Sequence, residues 1–296
     1  MHAALVLCAA LSAYAQEPVF PAFESLEALR AGLESAVAAS GVVRRAAEGL
    51  TPAEARRKVK ALLGNALPGA YVDAAFDDPL TQPIPGLEDH FNHAPENHGT
   101  YEDYRKLFMT EERIATGARF LAERRDLLAS IEARFGVDPA LLVAFVGVET
   151  YYGRATGKFD VFNALYTITM KVPGRSDWAA RELAEFLKLS RAEGAGIHSI
   201  AGSYAGAFGY GQFMPSSANA YAVDFDGNGK RDLFAWPDAL ASVANYTARH
   251  GYERGGSFAP GSRNWSAVYA YNHSDFYVRV VLELREAVLS RAGAGV

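Results

Sequence analysis

The sequence predicts a mainly α-helical protein, α+β at most, with an N-terminal helical region ahead of a larger core. Three observations predict it. Apolar residues recur at helical spacing through most of the 296 residues. Helix starts are marked by Thr, Asp or Ser caps, and stops by glycine. No strand and helix patterns alternate in the way a parallel sheet requires. Half of the residues are hydrophobic, which allows one large domain or two small ones. The net charge of -5, with no basic patch, argues against nucleic acid as a partner.

Taken in order, residues 1–15 read as a signal peptide. MHAALVLCAALSAYAQ has no Lys, Arg, Asp or Glu. Its apolar run is too short to span a bilayer, and Ala13-Tyr14-Ala15 offers a small-x-small cleavage site before Gln16. A buried N-terminal helix is the alternative. Cleavage would remove Cys8, the only cysteine, and leave a mature chain that needs no disulfide.

Residues 16–110 read as a helical and loop region. FESLEALRAGLESAVAAS has helical spacing, and Thr51-Pro52-Ala53-Glu54 is a capped helix start. The stretch 64–100 is rich in Pro, Gly, Asn, Asp and His and reads as loop. His90, His93 and His98 raise zinc as a reading, but no fourth ligand suggests itself.

Residues 111–296 read as the core. TEERIATGARFLAERRDLLASIEARFG is amphipathic, with apolar residues at 114, 118, 121, 127, 128 and 131. Asp138 and Pro139 then open a helix that closes at Gly153 and is apolar on almost every face, so it is central. Helices follow at Ser176 to Arg191, 237–250 and 275–291. The 161–169 and 202–213 segments are expected to be short strands or irregular loops.

Four segments carry chemistry. Glu149 ends an apolar run, ALLVAFVGVE, in the last turn of the central helix. Desolvation and the negative end of the helix dipole both raise its pKa, which suits a general acid. GSYAGAFGYGQFMPSS, residues 202–217, interleaves four glycines with aromatics at 204, 208 and 210. Close backbone approach, apolar faces and polar Ser203 and Gln212 suit a sugar. In DFDGNGKRDLFAWPD, residues 224–238, oxygen ligands fall at EF-hand positions 1, 3, 5 and 9: Asp224, Asp226, Asn228 and Asp232. Gly229 supplies the sharp turn and Lys230 a carbonyl. Position 12 is Ala235, so Asp238 would complete the set if the loop is longer than usual. AYNHSDFYVRV reads as a helix-helix turn with Ser274 as a cap.

Together, VGVETYYGRATGK, GSYAGAFGYGQFMPSS, VDFDGNGKRDL and SVANYTARHG resemble the lytic murein transglycosylase B family, glycoside hydrolase family 103. The resemblance runs from about Tyr104 to Val280. It implies a lysozyme-like core that cuts the β-1,4 MurNAc-GlcNAc bond of peptidoglycan without water, leaving 1,6-anhydro-MurNAc ends. Glu149 stands at the family's single catalytic glutamate, acid first and base second. Most glycosidases use a carboxylate pair. Asp160 and Asp177 are the nearest second candidates, and their spacing favours neither.

The resemblance also implies substrate contacts for Ser203, Gln212, Tyr210, Phe213, Tyr246, Tyr271 and Asn272, with Arg175, Trp178 and Tyr104 as weaker matches. It supports a structural Ca2+ in the loop, with Asp238 over Ala235 as last ligand. It implies an exported monomer in the periplasm or envelope of a bacterium, acting on glycan strands. The sequence departs from the family in two places. A β-rich insertion before Tyr271 is reduced to a loop, and Tyr151-Tyr152 vary the residues after the Glu-Thr. A hydrolytic muramidase, a phage- or spore-related lysin and a non-catalytic, calcium-stabilised peptidoglycan-binding protein are the competing readings.

Overall fold

The structure is a computed structural model that describes residues 49–92 and 99–293. The signal peptide, the helix read over 23–40, Cys8, His93 and His98 lie outside the described residues.

Helix α1, Pro52–Leu63, opens on the expected capping box. Thr51 Oγ1 accepts the Glu54 N–H, and Glu54 Oε2 accepts the Thr51 N–H at 2.9 Å. The described residues of the 64–100 segment, 64–92 and 99–100, are more ordered than their composition predicts. They contain α2, Gly69–Asp77, and a single turn, α3, Asp89–Asn92. Pro68 and Gly69 look like a turn, but Pro68 is the N-cap of α2, and Val72, Ala75 and Phe76 bury one face. His90 stacks on Tyr204 with ring centroids 5.0 Å apart.

Helix α4, Tyr101–Lys106, leads to α5, Glu111–Glu123, and α6, Arg125–Phe135. One amphipathic stretch thus becomes two helices, broken at Arg124 (φ -114°, ψ 22°). There the Arg124 guanidinium packs 4.0 Å from the Phe120 ring centroid. The central helix α7, Pro139–Thr150, is capped by Asp138 Oδ1, which accepts the Ala140 and Leu141 N–H groups. Every residue from Ala140 to Thr150 is buried.

Strand β1, Phe159–Asp160, precedes α8, Val161–Lys171. The 161–169 segment is therefore a helix, not a strand or loop. Asp160 accepts the Asn163 N–H as its N-cap, which outweighs the weak β-branched preference of VFNALYTITMK. A 3-10 turn, Pro173–Arg175, leads to α9, Ser176–Glu193. Strand β2, Ala201–Gly202, pairs antiparallel with β1, Phe159 opposite Gly202. The rest of the 202–213 stretch is irregular, with single bridges Gly202–Phe208 and Phe208–Phe213.

Helix α10, Pro215–Tyr221, precedes the acidic loop. Then come α11, Trp236–Arg249, α12, Arg263–Tyr271, and α13, Asp275–Gly293. Residues 251–262 hold no strand, as the short spacing implies. Helix α7 lies at the centre, packed against α13, α5, α11 and α6. None of the described helices is long and apolar enough to cross a membrane.

Candidate active site

The Glu149 carboxyl sits in the last turn of α7 and is 2 % exposed. Its Oε1 accepts a hydrogen bond from the Tyr277 hydroxyl at 2.5 Å. Tyr277 is fully buried in the first turn of α13. Burial pushes the Glu149 pKa up to about 8, and the Tyr277 hydrogen bond pulls it partly back. The carboxyl is therefore protonated at neutral pH. Because Oε1 already accepts a hydrogen bond from Tyr277, the acid proton belongs on Oε2.

Tyr277 is the functional residue that sequence reasoning missed. It lies 128 positions from Glu149. A signal was present. Tyr277, Val280, Val281, Leu284 and Val288 form one buried stripe, and a tyrosine hydroxyl placed inside a core needs a partner.

An aromatic group stands beside the acid. Tyr271, at the end of α12, donates its hydroxyl to Gly211 O at 2.6 Å, and its ring lies 4.6 Å from that of Phe145. Burial, and after it the Glu149 carboxylate that is ionised at the alkaline pH where a tyrosine titrates, hold the Tyr271 hydroxyl well above the usual tyrosine range. Tyr246 and Phe213 complete the group, with Tyr246 centred 4.9 Å and Phe213 6.0 Å from Tyr271. With Gln212, Met214 and Ser217 they line a pocket of about 30 Å³. Gln212 has a positive φ of 51°, and its amide donates to Thr156 O and Gly209 O. Its Oε1 is buried without a hydrogen-bond partner.

Ser203 is 1 % exposed, and its Oγ accepts the Ala205 and Ala207 N–H groups. It holds the turn that carries the aromatics. Gly202 beside it leaves no room for a side chain, since a Cβ would lie 2.2 Å from Ala207 O. Asn272 follows Tyr271 and is 5 % exposed. Tyr210 stacks on Trp236 at 3.9 Å, and its carbonyl accepts the Thr150 hydroxyl at 2.9 Å.

Three expected site residues are not brought into this aromatic group. The Arg175 guanidinium packs 5.4 Å from the Phe91 ring. Trp178 belongs to a separate cluster with Leu87, Ile168 and Tyr204. Tyr104 packs on Phe108 and Phe276, one residue before Tyr277. Nor, among the described residues, does a second carboxylate join Glu149. Asp160 binds His198 Nδ1 at 2.8 Å, and Asp177 binds Lys58 at 2.5 Å.

In the acidic loop, oxygens of Asp224, Asp226 and Asp238 lie within 4.8 Å of one another. Asp238 is fully buried and accepts the Phe225 and Asp232 N–H groups. Asn228 Oδ1 accepts the Lys230 N–H, and Asp232 Oδ1 the Phe234 N–H. Asp232 stands outside the clustered trio. These hard oxygen donors fit a calcium ion.

A helical core whose central helix brings one desolvated carboxyl to an aromatic-lined surface defines the lysozyme-like class. Within it, the chain belongs to the family described as transglycosylase SLT domain, matched over residues 53–261. It is similar to membrane-bound lytic murein transglycosylase B of Escherichia coli (strain K12), at 41% identity over 161 residues. That match covers 54% of this chain and 45% of the relative, so the chain spans less than half of that protein's length. It is similar in structure to the Escherichia coli lytic transglycosylase SLT35 in complex with calcium (TM-score 0.71, 27% identity, 81% of this chain and 93% of that one). It is also similar to SltB3 from Pseudomonas aeruginosa in complex with NAG-anhNAM-pentapeptide (TM-score 0.72, 25% identity, 81% and 80%).

Proposed function

We propose that this protein is a lytic transglycosylase, cutting the β-1,4 bond from MurNAc to GlcNAc in peptidoglycan and leaving a 1,6-anhydro-MurNAc end. The observation that carries this reading is the Glu149 carboxyl, buried, held by Tyr277 and protonated at neutral pH. Glu149 Oε2 gives its proton to the glycosidic oxygen as the bond from C1 breaks. The muramyl 6-hydroxyl then closes onto C1, and its proton returns to Glu149. The acid is restored and no water is consumed. One carboxyl acts in turn as acid and base, so the reaction needs no partner carboxylate, and none stands near Glu149 among the described residues.

Substrate would lie against Tyr271, Tyr246, Phe213 and Gln212, with Asn272 and Tyr210 at the margins. Ser203 supports the loop beneath them, while Arg175, Trp178 and Tyr104 would meet the glycan only at more distant positions. A NAG-anhNAM-pentapeptide complex of a relative supports this substrate class. Asp224, Asp226, Asp238, Asn228, Asp232 and the Lys230 carbonyl would hold a structural Ca2+, as the calcium complex of another relative suggests. It would brace the loop between α10 and α11. Export to the periplasm or cell envelope, and action as a monomer, belong to the same reading.

Mass spectrometry of soluble products from purified peptidoglycan tests it. Muropeptides one water lighter than hydrolysis products, absent with Glu149→Gln, are expected. Reducing-end products would make the enzyme a muramidase. Binding to sacculi without release would make it a binding protein.

A further inference from the structure

We infer that a second, anion-binding pocket lies across α7 from the Glu149 carboxyl and takes a carboxylate of a peptidoglycan stem peptide; this rests on the function proposed above. The pocket has a volume of about 220 Å³. Its apolar floor is Phe120, Tyr152 and Trp236, and its rim carries Arg119, Arg124 and Arg154. Three guanidiniums thus face one lining carboxylate, that of Glu123.

The guanidiniums are available. Arg124 reaches Glu123 at 3.3 Å and Arg154 reaches Glu112 at 2.9 Å, and both carboxylates are largely exposed. Such surface pairs are weakly held and exchange readily for a ligand carboxylate. Arg119 has no carboxylate partner among the described residues; its NH2 group reaches Thr116 Oγ1 at 3.4 Å. Guanidinium forks suit carboxylates, and the aromatic floor holds that of Arg124 in place. Arg124 lies 4.0 Å from the Phe120 centroid and 5.3 Å from that of Trp236.

The pocket is also joined to the candidate active site. Trp236 stacks on Tyr210, whose carbonyl takes the Thr150 hydroxyl next to Glu149. Tyr152 wedges between Gly117 and Gly147, and a Cβ on either glycine would lie within 2.7 Å of its hydroxyl. Gly147 and Glu149 are two residues apart, about 200° around the helix. The pocket therefore does not compete with the sugar being cut. It would hold a peptide from the same or an adjoining strand while the glycan is cleaved.

The test uses the Glu149→Gln protein, so that nothing is turned over, and isothermal titration with a free stem pentapeptide. The same peptide with every carboxylate amidated is the control. Arg119→Gln/Arg124→Gln should weaken binding at least tenfold, as should amidation, and binding should fall as salt rises. Because Arg124 packs on Phe120, Arg119→Gln/Arg154→Gln provides a second variant that leaves that contact intact. Peptide binding that neither double variant alters would overturn the inference, as would no binding at millimolar peptide, which would leave only a solvated arginine surface. Product mass from the wild-type enzyme is read separately. Anhydro products without peptide binding would sink the pocket alone. Peptide binding without anhydro products would sink the catalytic reading alone.

Discussion

Replacing Glu149 by Gln should abolish activity and yet stabilise the protein, by an amount that grows with pH. The ordinary carboxylate value is 4.5, and burial lifts Glu149 to about 8. Below pH 4.5 the group is protonated in both folded and unfolded chains, and it contributes no pH dependence. Between 4.5 and 8 the unfolded chain ionises while the folded one keeps its proton. The folded state therefore binds more protons, and stability falls as pH rises. At about 1.4 kcal/mol per unit, the loss is about 3 kcal/mol by pH 7 and about 4 kcal/mol at pH 8, and it levels off at about 5 kcal/mol above that. A glutamine never ionises. Its carbonyl still accepts from Tyr277, and its amide NH2 replaces the protonated Oε2, a difference that does not vary with pH. Urea unfolding of both proteins at pH 5, 6, 7 and 8 measures the gap, and all other titrating groups cancel in the difference. At pH 7 the melting temperature of the variant should be higher by about 6–12 °C, from about 2–4 °C per kcal/mol in a domain of this size. A gap that stays constant from pH 5 to 8 would refute the reasoning, because Glu149 would then be ionised in the folded protein.

Three further outcomes follow from the same geometry. In wild type, kcat/KM should fall above about pH 8 as the acid loses its proton; Tyr277→Phe removes the bond that favours the carboxylate and should move that limb upward by about one to two units while lowering kcat, as a pH-rate profile would read. Asp238→Asn places an amide NH2 against the Phe225 or Asp232 N–H and should cost about 1–3 kcal/mol; a chelator should lower the melting temperature of wild type but not of this variant, measured by calorimetry. Gly117→Ala would put a Cβ 2.3 Å from the Tyr152 hydroxyl and should destabilise by about 1–3 kcal/mol in denaturant unfolding, whereas Tyr152→Phe, which removes a buried hydroxyl without a partner, should be neutral or stabilising.

The parts of the fold that local chemistry writes were legible in the sequence. Asp138-Pro139 marked the start of α7, the Thr51–Glu54 box marked α1, and the acidic loop was placed by its oxygen spacing. Glu149 stood out because a carboxylate in an apolar helix is expensive. What was not legible depended on partners distant in sequence. Helix α2 was hidden by Pro68-Gly69, a turn signal that here starts a helix. Helix α8 was hidden by its β-branched residues, Val161, Thr167, Ile168 and Thr169, whose preference reads as strand until the Asp160 cap is seen in place. The buried stripe of α13 signalled that the Tyr277 hydroxyl needs a partner, but not which one, because only the packing of α13 on α7 brings it to Glu149.

The end of α7 shows why the Glu149 carboxyl needs more than its own helix. Tyr151 and Tyr152 both adopt left-handed conformations, φ 50° and 57°, where glycine would be cheaper. Each costs roughly 1–2 kcal/mol for a residue with a Cβ. Burying the Tyr152 ring between Gly117 and Gly147 returns about 1.5–3 kcal/mol, and the Tyr151 ring gains from Arg113 and Arg154, 4.6 and 4.8 Å from its centroid. The two sides of that balance are comparable, so the reversal persists without a glycine. Its consequence is positional. Thr150 Oγ1 accepts the Gly153 N–H and donates to Tyr210 O, which ties the last turn of α7 to the glycine-rich loop. Glu149, one residue earlier, is then fixed from both sides, by that tie and by Tyr277, and its free oxygen Oε2 remains to carry the proton.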